Sequence, residues 1–154
     1  MSMQFEFPRD RERAVVGQKV DSLPSMQVST TSVQPHPIAF GRLVVFDDSD
    51  AFLCKPPTTP AHLEKPLGIT VRQLHGEDYQ PKSSILAMRK GRIWIEADKV
   101  DAPGDAVYLK LNVDGTHAFT GSKTDTTPLR GAIFLEKSDG GKVPIEVNFF
   151  GGVA

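Results

Sequence analysis

Proline and glycine punctuate this chain every few residues, with 12 of one and 13 of the other in 154 positions. A helix needs an uninterrupted run, because proline removes a backbone donor and glycine costs conformational entropy. The fair helical stretch, Arg9 to Val16, is short and charged, and such helices are marginal in water. The rest reads as short β-branched runs separated by turn chemistry. Strands are expected at Met26–Ser32, Ile38–Phe46, Ala51–Lys55, Leu67–Leu74, Ser84–Met88, Arg92–Glu96, Ala106–Val113, Thr116–Phe119, Ala132–Glu136 and Val143–Phe149. Many short strands with regular turns predict an all-β fold, a sandwich or barrel.

The sharpest patterns are Lys90-Gly91-Arg92-Ile93-Trp94-Ile95-Glu96 and Gly104-Asp105-Ala106-Val107-Tyr108-Leu109-Lys110. Strand side chains alternate, so Ile93 and Ile95 face one way while Arg92, Trp94 and Glu96 face the other. Val107 and Leu109 are likewise opposed to Tyr108 and Lys110. The aliphatic faces, with Val147 and Phe149 of the last strand, are the expected core. Pro103-Gly104 suits a type II turn and Asp114-Gly115 a hairpin turn, both needing positive φ. Pro144 points to an edge position for the last strand. Lys55-Pro56-Pro57-Thr58-Thr59-Pro60 reads as a stiff extended loop running on to Pro66.

Composition narrows the function. The chain carries 18 basic and 19 acidic residues, without the basic excess of a nucleic-acid binder. Cys54 is the single cysteine, so no internal disulfide forms. No apolar run approaches the roughly 20 residues of a membrane span, and the first residues lack a secretory pattern. A soluble chain, made inside a cell, is expected.

The search for chemistry ends without a catalytic site. His36, His62, His75 and His117 include no H-x-H, no H-E-x-x-H and no i,i+4 pair, so they do not make a cupin-like metal site. Cys54 reads as an apolar filler. Asp47-Asp48-Ser49-Asp50 reads as a hairpin tip whose side chains bond their own backbone, without the spacing of a calcium loop. The glycines form neither phosphate-binding motif. Arg89, Lys90 and Arg92 make a short basic cluster, suited to an acidic partner or to a solvated strand end. The expectation is a non-enzyme with no cofactor and no metal.

A wider pattern carries a resemblance. Ile38-Ala39-Phe40-Gly41 with Val44-Val45, Leu67-Gly68-Ile69-Thr70-Val71, Lys90 to Ile95, Pro103 to Tyr108 and Gly131-Ala132-Ile133-Phe134-Leu135 recur as glycine-led strands. Together, over roughly residues 14 to 150, they resemble the structural cement (head decoration) proteins of tailed bacteriophages. The resemblance implies the same kind of fold, a compact β-barrel or jelly-roll-like sandwich, and a capsid cement role on the outer surface of the phage head, stabilising joints between major capsid protein subunits. It further implies a homo-oligomer, a dimer above all, made in the bacterial host cytoplasm and located on the virion exterior, while the charge balance and the missing apolar run predict neither direct nucleic-acid nor membrane contact. The alternative is a β-sandwich recognition module of a tail or spike, with Trp94 and Tyr108 stacking on host glycans.

Domain organisation follows as an N-terminal arm, 1–25, and a body, 26–154. The arm lacks sheet periodicity but holds Phe5, Phe7, Arg9, Arg11 and Arg13, residue types that dominate interface energies. These five, with Arg92, Trp94 and Tyr108, are the expected contacts to capsid or partner. For Trp94 and Tyr108 three outcomes stand open: an aromatic pair covered by the chain's own loops, a bulge that turns Trp94 inward, or a subunit contact.

Overall fold

The structure is a computed structural model, and it describes residues 15–21, 24–33, 35–73, 76, 78–112 and 116–150. The fold is all-β. Its strands are β1 (Met26–Ser32), β2 (Ile38–Ala39), β3 (Leu43–Phe46), β4 (Leu53–Lys55), β5 (Pro66–Thr70), β6 (Asp78–Tyr79), β7 (Ser84–Ala97), β8 (Ala106–Leu111), β9 (His117–Thr120), β10 (Thr127–Phe134) and β11 (Gly141–Asn148). Nine of them form one mixed sheet in the order β1-β4-β3-β5-β7-β11-β10-β8-β9, and both ends of that order also pair with β7. β2 and β6 form a small separate ladder.

β7 is the organising element, and it corrects one expectation. The runs Ser84–Met88 and Arg92–Glu96 are one continuous strand of 14 residues. The join is a bulge: Met26 pairs with Lys90 and Gln27 with Met88, leaving Arg89 as the extra residue. Gly91 beside it has φ +142, and a Cβ there would lie 2.8 Å from the Ser25 Cβ. Across this irregularity the strand changes face. Ile85 and Ala87 belong to a core with Val44, Leu67 and Tyr79, whereas Ile93, Ile95 and Ala97 belong to a larger one with Leu109, Phe119, Phe134 and Val147. Odd-numbered side chains thus serve two cores along one strand. The six residues expected in the core, Ile93, Ile95, Val107, Leu109, Val147 and Phe149, are all buried.

Other segments refine the sequence reading. Ile38–Phe46 breaks in two at Gly41, whose φ is +72 and where any Cβ would overlap the Val16 side chain. The Asp105 amide donates to the Ala102 carbonyl (3.3 Å) around Gly104 at φ +89, the expected Pro-Gly turn. β8 and β9 pair antiparallel, while Asp114-Gly115 lies outside the described residues. Pro144 is not on an edge strand, since β11 lies between β7 and β10. In an antiparallel ladder one residue's N and O point to the same side. The Pro144 carbonyl accepts from Leu135, just past the end of β10, so the missing donor faces a place where that ladder has already stopped. The proline-rich loop does not stay extended to Pro66. Pro60–Glu64 winds into a 3₁₀ turn that buries Leu63, and Pro66 opens β5.

Candidate functional site

Arg92, Trp94 and Glu96 occupy one face of β7, across from Glu146, Pro144 and Lys142 of β11. On the other side of β7 runs the segment 15–21, inside the expected arm. The Gly17 amide donates to the Trp94 carbonyl (2.7 Å), Trp94 to Gln18 (2.9 Å) and Val20 to Arg92 (3.1 Å). That part of the arm is therefore bonded along the body. Trp94 keeps only 8 % exposure, so it offers little ring surface outward. Arg92 is held between two acids, with Nε 3.0 Å from Glu146 and Nη1 3.4 Å from Asp21. The hydrogen bond to Glu146, ahead of the charges of Glu146 and Asp21, raises its pKa.

Trp94 and Tyr108 do not face each other across paired strands. β7 and β8 are consecutive but not hydrogen-bonded neighbours, and the half-buried Tyr108 lies opposite Thr120 and Pro128. Phe5, Phe7, Arg9, Arg11 and Arg13 lie outside the described residues. The Arg89-Lys90-Arg92 cluster disperses with strand geometry. Arg89 lies 5.3 Å from the Phe46 ring centre and 4.6 Å from that of Phe150, donating to the Leu67 carbonyl at 2.9 Å.

A basic cleft was not legible in the sequence. Val15 and Val16, the turn Ala39–Arg42, Arg72, Gly76, Glu96 and Lys142 enclose about 640 Å³. The turn is fixed by the fully buried Thr70, which donates to the Ala39 carbonyl (2.8 Å) and accepts from the Arg42 amide (3.0 Å). The Arg72 amide donates to Gly17, closing the cleft against the arm. Behind it Arg42 Nη1 donates to the His117 carbonyl (2.7 Å), and the Leu43 amide donates to His117 Nε2 (3.0 Å). An accepting Nε2 means a neutral ring with its proton on Nδ1. Burial, helped by the Arg42 charge, pushes this histidine down to about 3.

Of the remaining sequence candidates, Cys54 is buried and desolvation pushes its thiol up to about 11. His36 is exposed, His62 Nδ1 accepts from the Thr58 amide, and His75 lies outside the described residues. Among the described residues no cluster of three or more His, Cys, Asp or Glu side chains is placed to hold a metal. No helix among them is long and apolar enough to cross a membrane.

The family model described as "Structural cement protein (E217 gp24/Pam3 gp6)" matches residues 3–148. The chain belongs to this family of phage structural cement proteins. Its fold is similar to a chain in the solved capsid of the Myoviridae phage XM1, with a TM-score of 0.66 and 18% identity over 88% of this chain and 91% of that one. A comparison with curated proteins gave no match. The cement family is structural, which places this chain in a capsid-associated role and in the virion. For a cement protein, the surface described above is a candidate for contacts between proteins, not for catalysis.

Proposed function

We propose that this chain is a non-enzymatic decoration protein that binds the outer surface of a phage head and stabilises joints between major capsid protein subunits. The observation that carries the reading is the family match along nearly the whole chain, residues 3–148. The physics is mechanical. Each copy adds contact area across a joint, specific interfaces bury about 1,200–2,000 Å² in total, and repetition around a closed shell adds avidity. Self-association into a two-fold pair would let one decoration unit span two capsid subunits. Phe5, Phe7, Arg9, Arg11, Arg13, Arg92, Trp94 and Tyr108 are the proposed contacts. Within this set Arg92 and Tyr108 are the more open of the described residues, and Trp94 adds what little of its ring remains exposed. That burial also leaves Trp94 little surface for stacking on a sugar, so the glycan-binding alternative gains no support from it.

Purified chain added to heads that lack it tests the reading. Decoration visible by electron microscopy, with increased resistance of the heads to heat, is the expected result. Failure to bind intact heads of the cognate phage would overturn it. A chain lacking residues 2–13 should fold and yet decorate poorly.

A further inference from the structure

The basic cleft and an acidic tip lie at opposite ends of β3. Arg42 immediately precedes Leu43, and Asp47 immediately follows Phe46. At about 3.3 Å per residue the strand separates them by roughly 16 Å. Lining the cleft, Arg42, Arg72 and Lys142 stand against Glu96, three cations to one carboxylate, a net of +2 among the described residues. Arg42 spends its hydrogen bond on a neutral carbonyl, which leaves its charge uncancelled. Arg72, Lys142 and Glu96 form no ion pair within 4.0 Å among the described residues.

The tip is complementary in charge. Asp47, Asp48 and Asp50 stand against Lys55, which binds Asp48 at 2.9 Å, leaving a net of −2 from three carboxylates and one cation. The turn is pre-ordered: Asp47 Oδ2 accepts from the Ser49 amide and hydroxyl, and Asp50 Oδ1 from the Phe52 amide. Little ordering entropy remains to be lost on docking. At its crest Phe52 is 78 % exposed. A lone exposed aromatic is ordinary. This one tops an acidic turn, while the cleft pairs its cations with the apolar walls of Val15 and Val16.

We infer that the Asp47–Phe52 tip of one copy seats in the Arg42–Arg72–Lys142 cleft of a second copy. The carboxylates meet the cations, and Phe52 covers Val15 and Val16. Tip and cleft cannot meet within one chain, because β3 holds them apart. Two copies related by a two-fold axis make the contact twice, which closes the pair. This inference gives a surface to the self-association included in the proposed function and rests on that part of it.

Site-directed disulfides test it without removing any charge. Ser49→Cys places a thiol on the tip and Ala39→Cys one on the cleft wall, both at exposed positions, while the native Cys54 is buried. Mixed in free solution under mild oxidation, the two variants should give a mixed disulfide dimer. Its yield should exceed severalfold that of Ser49→Cys mixed with Ala102→Cys, an exposed control, and should fall at 1 M salt, where the screening length is about 3 Å. A yield equal to the control overturns the contact. Head decoration by the same variants is scored separately, so a protein that decorates heads without the cross-link overturns the tip-in-cleft contact and leaves the capsid reading standing. If Arg72→Glu abolishes decoration while no cross-link forms, the cleft takes an acidic capsid segment instead, which also overturns the inference.

Discussion

Two charged regions lie four residues apart on β11 and are built in opposite ways. Glu146 stands across from Arg92, and that arginine also reaches Asp21, so the fold satisfies the charge itself. Lys142 stands across from Glu96 without an ion pair and joins Arg72 and Arg42, so the fold leaves a positive excess. A charge already paired within the monomer must lose that pairing before it serves a partner, whereas an open one gains on contact. The conspicuous basic cluster in the sequence is therefore the weaker attractor, and the surface with charge to offer is assembled from distant positions.

The largest effect is expected at Trp94, which lies between the two regions. Trp94→Ala should cost about 3–5 kcal/mol in chemical denaturation, because the ring is buried within the monomer. Unchanged stability would show an unpacked ring and would break the description of the Arg92 side as self-satisfied. Next comes pH, through the histidine that holds the cleft's Arg42. In the folded chain His117 stays neutral down to about 3, while the unfolded chain takes up a proton below its ordinary 6.5. The unfolded state thus binds more protons between those values. Stability present above pH 6.5 is lost as pH falls toward 3, by about 1.4 kcal/mol per unit at most. Denaturant midpoints across this range should show the slope, and His117→Gln should flatten it.

Smaller effects separate the two regions directly. Glu146→Gln should barely move the melting temperature, since Asp21 remains on Arg92. A large drop would mean that the Arg92 cluster stabilises the sheet more than an exposed ion pair ordinarily does. Arg72→Glu should leave the melting temperature least changed of all, because this exposed side chain has no ion partner among the described residues. Its effect should appear in association alone, as a weaker salt-dependent dimer.

Local patterns explain which features were legible. β1 coincides with the predicted Met26–Ser32, and alternation placed Ile93, Ile95, Val107 and Leu109 in the core, because each depends on period two along one strand. Alternation alone splits β7 in two, because the bulge at Arg89 changes its face and a single period cannot run through it. The two-residue β2–β6 ladder is too short for any period to register, and it is fixed by tertiary contacts: Tyr79 donates to the Val71 carbonyl (2.6 Å) and its ring packs edge-on to Phe40. Pro144 misled because its missing donor depends on where β10 ends, a property of the neighbouring strand. The cleft was invisible for a related reason. Positions 42, 72 and 142 share no motif and meet only when the β3 turn, the end of β5 and β11 converge.

The central claim is that this chain decorates the head as a cement. The most direct measurement is its amount relative to the major capsid protein in purified virions, by quantitative mass spectrometry. Cement across capsid joints predicts a copy number comparable to that of the major capsid protein. A few copies per particle, as for a tail or spike component, would contradict it.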